Sequence, residues 1–198
     1  KKWFARAVKC AFEKEKINKH CIVLANGDQH AGKSTYLNSF IPKKLENYMG
    51  VNIGTDKDSR IKMCKNFLIN LEELSVIGKA EVNYIKSLIS MFYINERLPY
   101  ERKAENLPRI CSFIGSTNMV DFLTDETGSV RWIIFDVIGR IDFNYSKEID
   151  MDDVWAQAYY LAYHDKNFEP ELTQQDIIDN EKRNEKNVFC CFCACADD

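Results

Sequence analysis

Cys21-Ile22-Val23-Leu24-Ala25-Asn26-Gly27-Asp28-Gln29-His30-Ala31-Gly32-Lys33-Ser34 starts as a short, apolar, β-rich run, breaks at Asn26-Gly27, and restarts as a helix at Lys33. Within it Gly27, Gly32, Lys33 and Ser34 keep the spacing of a loop that wraps phosphate. Glycines at those places let the chain turn tightly enough for its N–H groups to point inward at anionic oxygens. Lys33 adds a cation for the outer phosphates, and Ser34 a hydroxyl for Mg²⁺. The spacing therefore predicts a nucleotide site made by Gly27, Asp28, Gln29, His30, Ala31, Gly32, Lys33, Ser34 and Thr35, with His30 as filler in a loop that works through its backbone.

Three further apolar runs, Asn66 to Leu71, Ile110 to Gly115 and Trp132 to Ile138, have the character of buried strands. Helical periodicity marks Trp3 to Lys16, Lys79 to Tyr93 and Asp152 to His164, and Lys33 to Phe40 reads as a helix stopped near Pro42. Strands alternating with helices predict an α/β fold, a P-loop nucleoside triphosphatase with a mainly parallel central sheet between two helical layers. The expected organisation is a helical lead-in over 1–20, the core over 21–170, and a charged helix with a cysteine-rich tail over 171–198. The first residue is Lys1 rather than methionine, which suggests a segment of a longer polypeptide.

Two acids follow the second strand in "NFLINLEEL". One carboxylate at such a strand end can help hold Mg²⁺ and the next can polarise water for in-line attack, so Glu72 is assigned to the metal and Glu73 to the water. "RICSFIGSTN" brings Asn118 to the end of another strand, where it can hydrogen-bond the attacking water or the last phosphate. Arg131, just before the final strand, is a cation for charge developing on the transferred group, in its own subunit or a neighbour's.

A net charge of −3 gives no global basic signature, so any nucleic-acid contact must be local. Arg97, Arg102, Lys103 and Arg109 cluster between the acidic and asparagine-bearing strands; on charge alone they are also readable as a solvated loop. No run approaches the roughly 18 apolar residues of a membrane span, and no signal peptide is evident, so a cytoplasmic setting is expected. Of eight cysteines, Cys10, Cys21, Cys64 and Cys111 sit singly in apolar stretches as small hydrophobes. Cys190, Cys191, Cys193 and Cys195 lack a zinc spacing and read as a disordered tail.

With these residues in place the chain resembles the virulence-associated protein E family of phages and mobile elements, itself similar to the superfamily III helicases. The resemblance runs over about residues 20 to 145 and rests on the phosphate loop, "TDKDSR", "LINLEEL", "IKSLIS", "RLPYER", "PRICSFIGSTN" and "FLTDETGSVRW". It implies an ATPase core of the AAA+ or superfamily III kind, using ATP and Mg²⁺, forming homo-oligomeric rings on nucleic acid, with single-stranded DNA the expected partner and a primase-like domain often fused. It also implies that Arg97 to Arg109 is the first place to seek DNA contacts. Relatives usually carry Asp-Glu where this chain has Glu72-Glu73, and paired arginines where it has Val130-Arg131. A slow nucleotide switch and a P-loop kinase are the alternatives.

Overall fold

The computed structural model describes residues 1–28, 30–74, 79–119 and 130–185. The predicted alternation of strands and helices is present. In chain order the elements are α1 (Lys2–Phe12), β1 (Cys21–Ala25), α2 (Lys33–Asn38), β2 (Met49–Val51), α3 (Lys57–Lys62), β3 (Leu68–Leu71), α4 (Lys79–Ser90), β4 (Tyr93–Glu96), β5 (Glu105–Pro108), β6 (Ser112–Thr117), β7 (Trp132–Asp136), α5 (Met151–Tyr163) and α6 (Gln174–Asn184).

Five strands form one parallel sheet in the order β2-β3-β6-β1-β7. Because side chains alternate along a strand, each β1 residue commits to one face. Cys21, Val23 and Ala25 join a core with Met63, Val82, Ile85, Leu88 and Ile89, under α3 and α4. Ile22 and Leu24 join a second core with Trp3, Val8, Leu37 and Trp155, under α1, α2 and α5. Helices on both faces make three layers, and burial from both sides explains why the strands read as unbroken apolar runs rather than alternating ones.

The edge strand β7 is covered by α6, where Asn180 and Asn184 each donate from Nδ2 to Trp132 O at 2.8 and 2.7 Å. That occupies a carbonyl an open edge would offer to another chain. β4 and β5 were not foreseen. They pair antiparallel as a separate hairpin, with Glu96 opposite Glu105, and Arg60 of α3 holds Glu96 through its Nε at 2.7 Å. Cys10, Cys21 and Cys111 are buried free thiols and Cys64 is half-buried; the four tail cysteines lie outside the described residues.

His20 closes the loop between α1 and β1. Its Nδ1 accepts from Arg6 Nη1 at 2.6 Å, which requires a neutral ring. Burial first, then the cations Arg6, Lys19 and Arg131, push its pKa down from 6.5 to about 3. The unfolded chain therefore binds the extra proton first on acidification, and stability that is complete above pH 6.5 declines as pH falls below it. Wild-type unfolding midpoints in urea should drop between pH 6.5 and about 4.5, above the range where carboxylates titrate. His20→Gln should flatten that segment; an unchanged slope would count against this pair.

Candidate functional site

Parallel strands deliver all their carboxyl ends to one edge of the sheet, and that edge carries the site. Ala25 of β1 stands between Thr117 of β6 and Asp136 of β7. Leu71 of β3 stands opposite Gly115, so Glu72 and Glu73 leave the sheet beside Ser116 and Thr117. His30, Ala31, Gly32, Lys33, Ser34, Thr35, Glu73, Ser116, Thr117 and Asn118 line a single cavity of about 380 Å³. Three segments far apart in sequence meet there because the sheet order brings β3, β6 and β1 side by side.

The loop is held from its flanks. Asn26 Nδ2 donates to Val137 O at 2.7 Å and Gly139 O at 3.1 Å, and its Oδ1 accepts from the Asp28 N–H. Gly32 adopts φ +87°, and a Cβ there would come within 2.8 Å of the Phe143 ring, so both its conformation and its neighbour require glycine. Lys33 is 7% exposed, and its Nζ donates to Asn26 O and Asp28 O, each at 3.2 Å. Two carbonyls thus partner the ammonium where anionic oxygens would be stronger acceptors. Burial lowers the Lys33 pKa below its ordinary value, with the nearby Asp28 carboxylate opposing.

Glu73 sits at φ +54°, a conformation few side-chain-bearing residues adopt. The turn is pinned by its neighbour Leu74, which is 1% exposed and packs against Gly115; a Cβ on Gly115 would meet Leu74 Cδ1 at 3.0 Å and Leu71 O at 2.9 Å. Glu73 is therefore aimed into the cavity by packing on the residue after it. Glu72 does not line the cavity. Its N–H donates to Asn52 Oδ1 at 2.8 Å, and its carboxylate accepts from Asn70 Nδ2 at 3.4 Å.

Two assigned residues lie elsewhere. Arg131 precedes Trp132, which pairs with Cys21, so it occupies the sheet edge opposite the phosphate loop, about 20 Å away along the strands. There its Nε donates to Ser90 Oγ at 3.0 Å. The register removes the possibility that it serves a nucleotide on its own subunit. Arg109, expected at a nucleic-acid surface, is fully buried. Its Nε donates to Met91 O, Nη1 to Cys111 O, and Nη2 to both Asn18 O and Ile89 O, at 2.8 to 3.1 Å. It caps the carbonyl end of α4 and cannot touch DNA.

Arg97, Arg102 and Lys103 fare differently, standing exposed at the tip of the β4–β5 hairpin beside the fully exposed Tyr100. The hairpin is rooted at the same edge as Arg131. Gln29 lies outside the described residues. Asn26 was missed by the sequence reading; a polar residue ending a buried strand directly before the loop was its signal.

A family model for the virulence-associated protein E-like domain matches residues 1–188. No curated protein matches the chain. Among solved structures, the apo structure of the NrS-1 C-terminal region (305–718) is similar with a TM-score of 0.54 at 16% identity, covering 92% of this chain and 47% of that one. A second apo form of that region has a TM-score of 0.57 at 15% identity, covering 96% and 46%. The chain thus spans about half the length of these structures, and at such identity the likeness concerns the fold. No helix among the described residues is long and apolar enough to cross a membrane.

Proposed function

Since this chain belongs to the family of virulence-associated protein E-like domains, we propose that it is the P-loop ATPase core of a phage or mobile-element replication protein, coupled to nucleic acid. The observation that carries the proposal is the cavity in which Lys33, Ser34, Thr35, Glu73 and Asn118 converge at the carboxyl edge of the sheet. Bound ATP and Mg²⁺ would supply the reactive anhydride and neutralise its charge. Lys33 would exchange two carbonyl partners for phosphate oxygens, Ser34 would face the metal, Glu73 would orient and deprotonate water, and Asn118 would hydrogen-bond it. Glu72 stands one residue off the cavity, so the carboxylate nearest the metal would act in concert with Ser34 rather than alone.

Arg97, Arg102 and Lys103 with Tyr100 form a cationic tip carrying one bare aromatic ring, a combination suited to single-stranded nucleic acid. Arg131 would serve a nucleotide held by a neighbouring copy, which is the chain-level argument for a ring. A switch that hydrolyses slowly is the second reading, favoured by the engagement of Glu72 with Asn52 and Asn70.

The test is phosphate release from Mg-ATP with and without single-stranded DNA, alongside sizing of the protein under both conditions. Release stimulated by DNA together with a larger assembly is the expected result; a monomer whose turnover ignores DNA contradicts the coupled reading. Label transferred to an acceptor would indicate a kinase instead. The double variant Arg102→Ala/Lys103→Ala should weaken DNA binding and lower the salt slope of log K by about 1.4, at roughly 0.7 for each lost phosphate contact. An unchanged slope would remove the hairpin from the interface.

A further inference from the structure

The sheet order fixes which way a nucleotide must lie across its carboxyl edge. Glu73 comes from the end of β3 and Asn118 from the end of β6, and both strands lie on one side of β1. The reacting phosphate belongs beside these two groups. A nucleoside triphosphate is a linear ligand, so its ribose and base must leave the phosphate loop on the other side of β1. Among the described residues the strand there is β7, and the segment following it runs from Val137 to Phe143.

That segment is built into the phosphate site. Asn26 Nδ2 holds Val137 O and Gly139 O, Ile141 N donates to Ala31 O at 3.0 Å, and Phe143 packs against Gly32. Between these anchors the chain leaves two side chains uncovered. Ile138 is 96% exposed, although the backbone on both sides of it is tied down. Arg140 is exposed and makes no hydrogen bond or ion pair among the described residues. Gly139 separates them at φ +69° with open space around it. A bare branched aliphatic side chain and a planar cation with no partner among the described residues, fixed next to a phosphate loop, match the two demands of a nucleoside: an apolar surface for the base and a donor for ring nitrogens or ribose hydroxyls.

We infer that the segment from Ile138 to Arg140 is the nucleobase and ribose subsite of this domain. The inference rests on the reading of Gly27 to Ser34 as a triphosphate site. It makes the base, rather than the phosphates alone, a determinant of affinity.

The experiment compares two ligands on the whole chain, ATP and inorganic tripolyphosphate, by calorimetry in the presence of Mg²⁺. Ile138→Asp and Arg140→Ala change exposed side chains, and unchanged melting curves will show that each variant is folded. The expected result is ATP affinity reduced about tenfold in each variant, the scale of losing one stacking or cationic contact to a base, with tripolyphosphate affinity unchanged. ATP affinity equal to wild type overturns the inference. Equal losses for ATP and tripolyphosphate also overturn it, because the segment would then act on the phosphates. Failure of the wild-type chain to bind either ligand would instead sink the triphosphate reading beneath it, a result distinct from both.

Discussion

Glu73→Gln should lower ATP turnover by about 10²–10⁴-fold while leaving ATP affinity within about twofold, the signature of losing a general base that binds neither substrate nor metal tightly. The amide keeps the shape of the carboxylate and its place at φ +54°, and Leu74 remains seated against Gly115, so the turn is undisturbed. Only the ability to take a proton and to bear charge is removed. Single-turnover phosphate release measured beside equilibrium binding separates the two effects. Turnover near wild type in this variant would end the assignment of Glu73 and shift attention to Glu72. A fall in affinity matching the fall in rate would make Glu73 a binding group.

Arg109→Met should destabilise the domain by roughly 3–5 kcal/mol, the range for breaking a buried hydrogen-bond network and leaving several acceptors unpartnered. Methionine fills much of the same volume, yet it takes the guanidinium donors from the carbonyls of Asn18, Ile89, Met91 and Cys111, leaving Cys111 O only the weak Cys10 thiol, in a site closed to water. A buried acceptor left unpartnered costs about 1–3 kcal/mol. The Phe113 ring, 5.5 Å from the guanidinium, loses its cation as well. Arg109→Lys should recover little, because one ammonium cannot reach carbonyls disposed around a planar fork. Urea denaturation gives the number; a cost under 1 kcal/mol would mean that the four carbonyls find other donors. Folded Arg109→Met at low temperature should keep wild-type DNA affinity, in contrast to the hairpin variant.

What the sequence disclosed and what it hid divide along physical lines. The phosphate loop, the acidic turn and Asn118 were legible because each depends on local order, a strand followed at once by a functional group, and parallel strands carry such groups to a shared edge. Arg109 was misread because its charge is visible in sequence and its partners are not; they are backbone carbonyls up to 91 residues away, which no side-chain pattern advertises. The hairpin was hidden by strands of four residues flanking a tip rich in charge and containing Pro99, a composition shared with ordinary loops. The place of Arg131 was available all along. A residue that precedes a parallel strand lies at the edge remote from one that follows its neighbour.

That separation has a consequence for symmetry. One edge of the sheet holds the phosphate loop and the other holds Arg131, so the two surfaces that must meet for Arg131 to serve a nucleotide are different surfaces. A two-fold axis could join them only if both lay within one self-complementary patch, each meeting the other on the second copy. A heterologous contact, repeated head to tail, pairs opposite edges directly, and such a contact either closes into a cycle or continues as an open filament. In an open row the terminal nucleotide would always lack its arginine, whereas closure would complete every site at once.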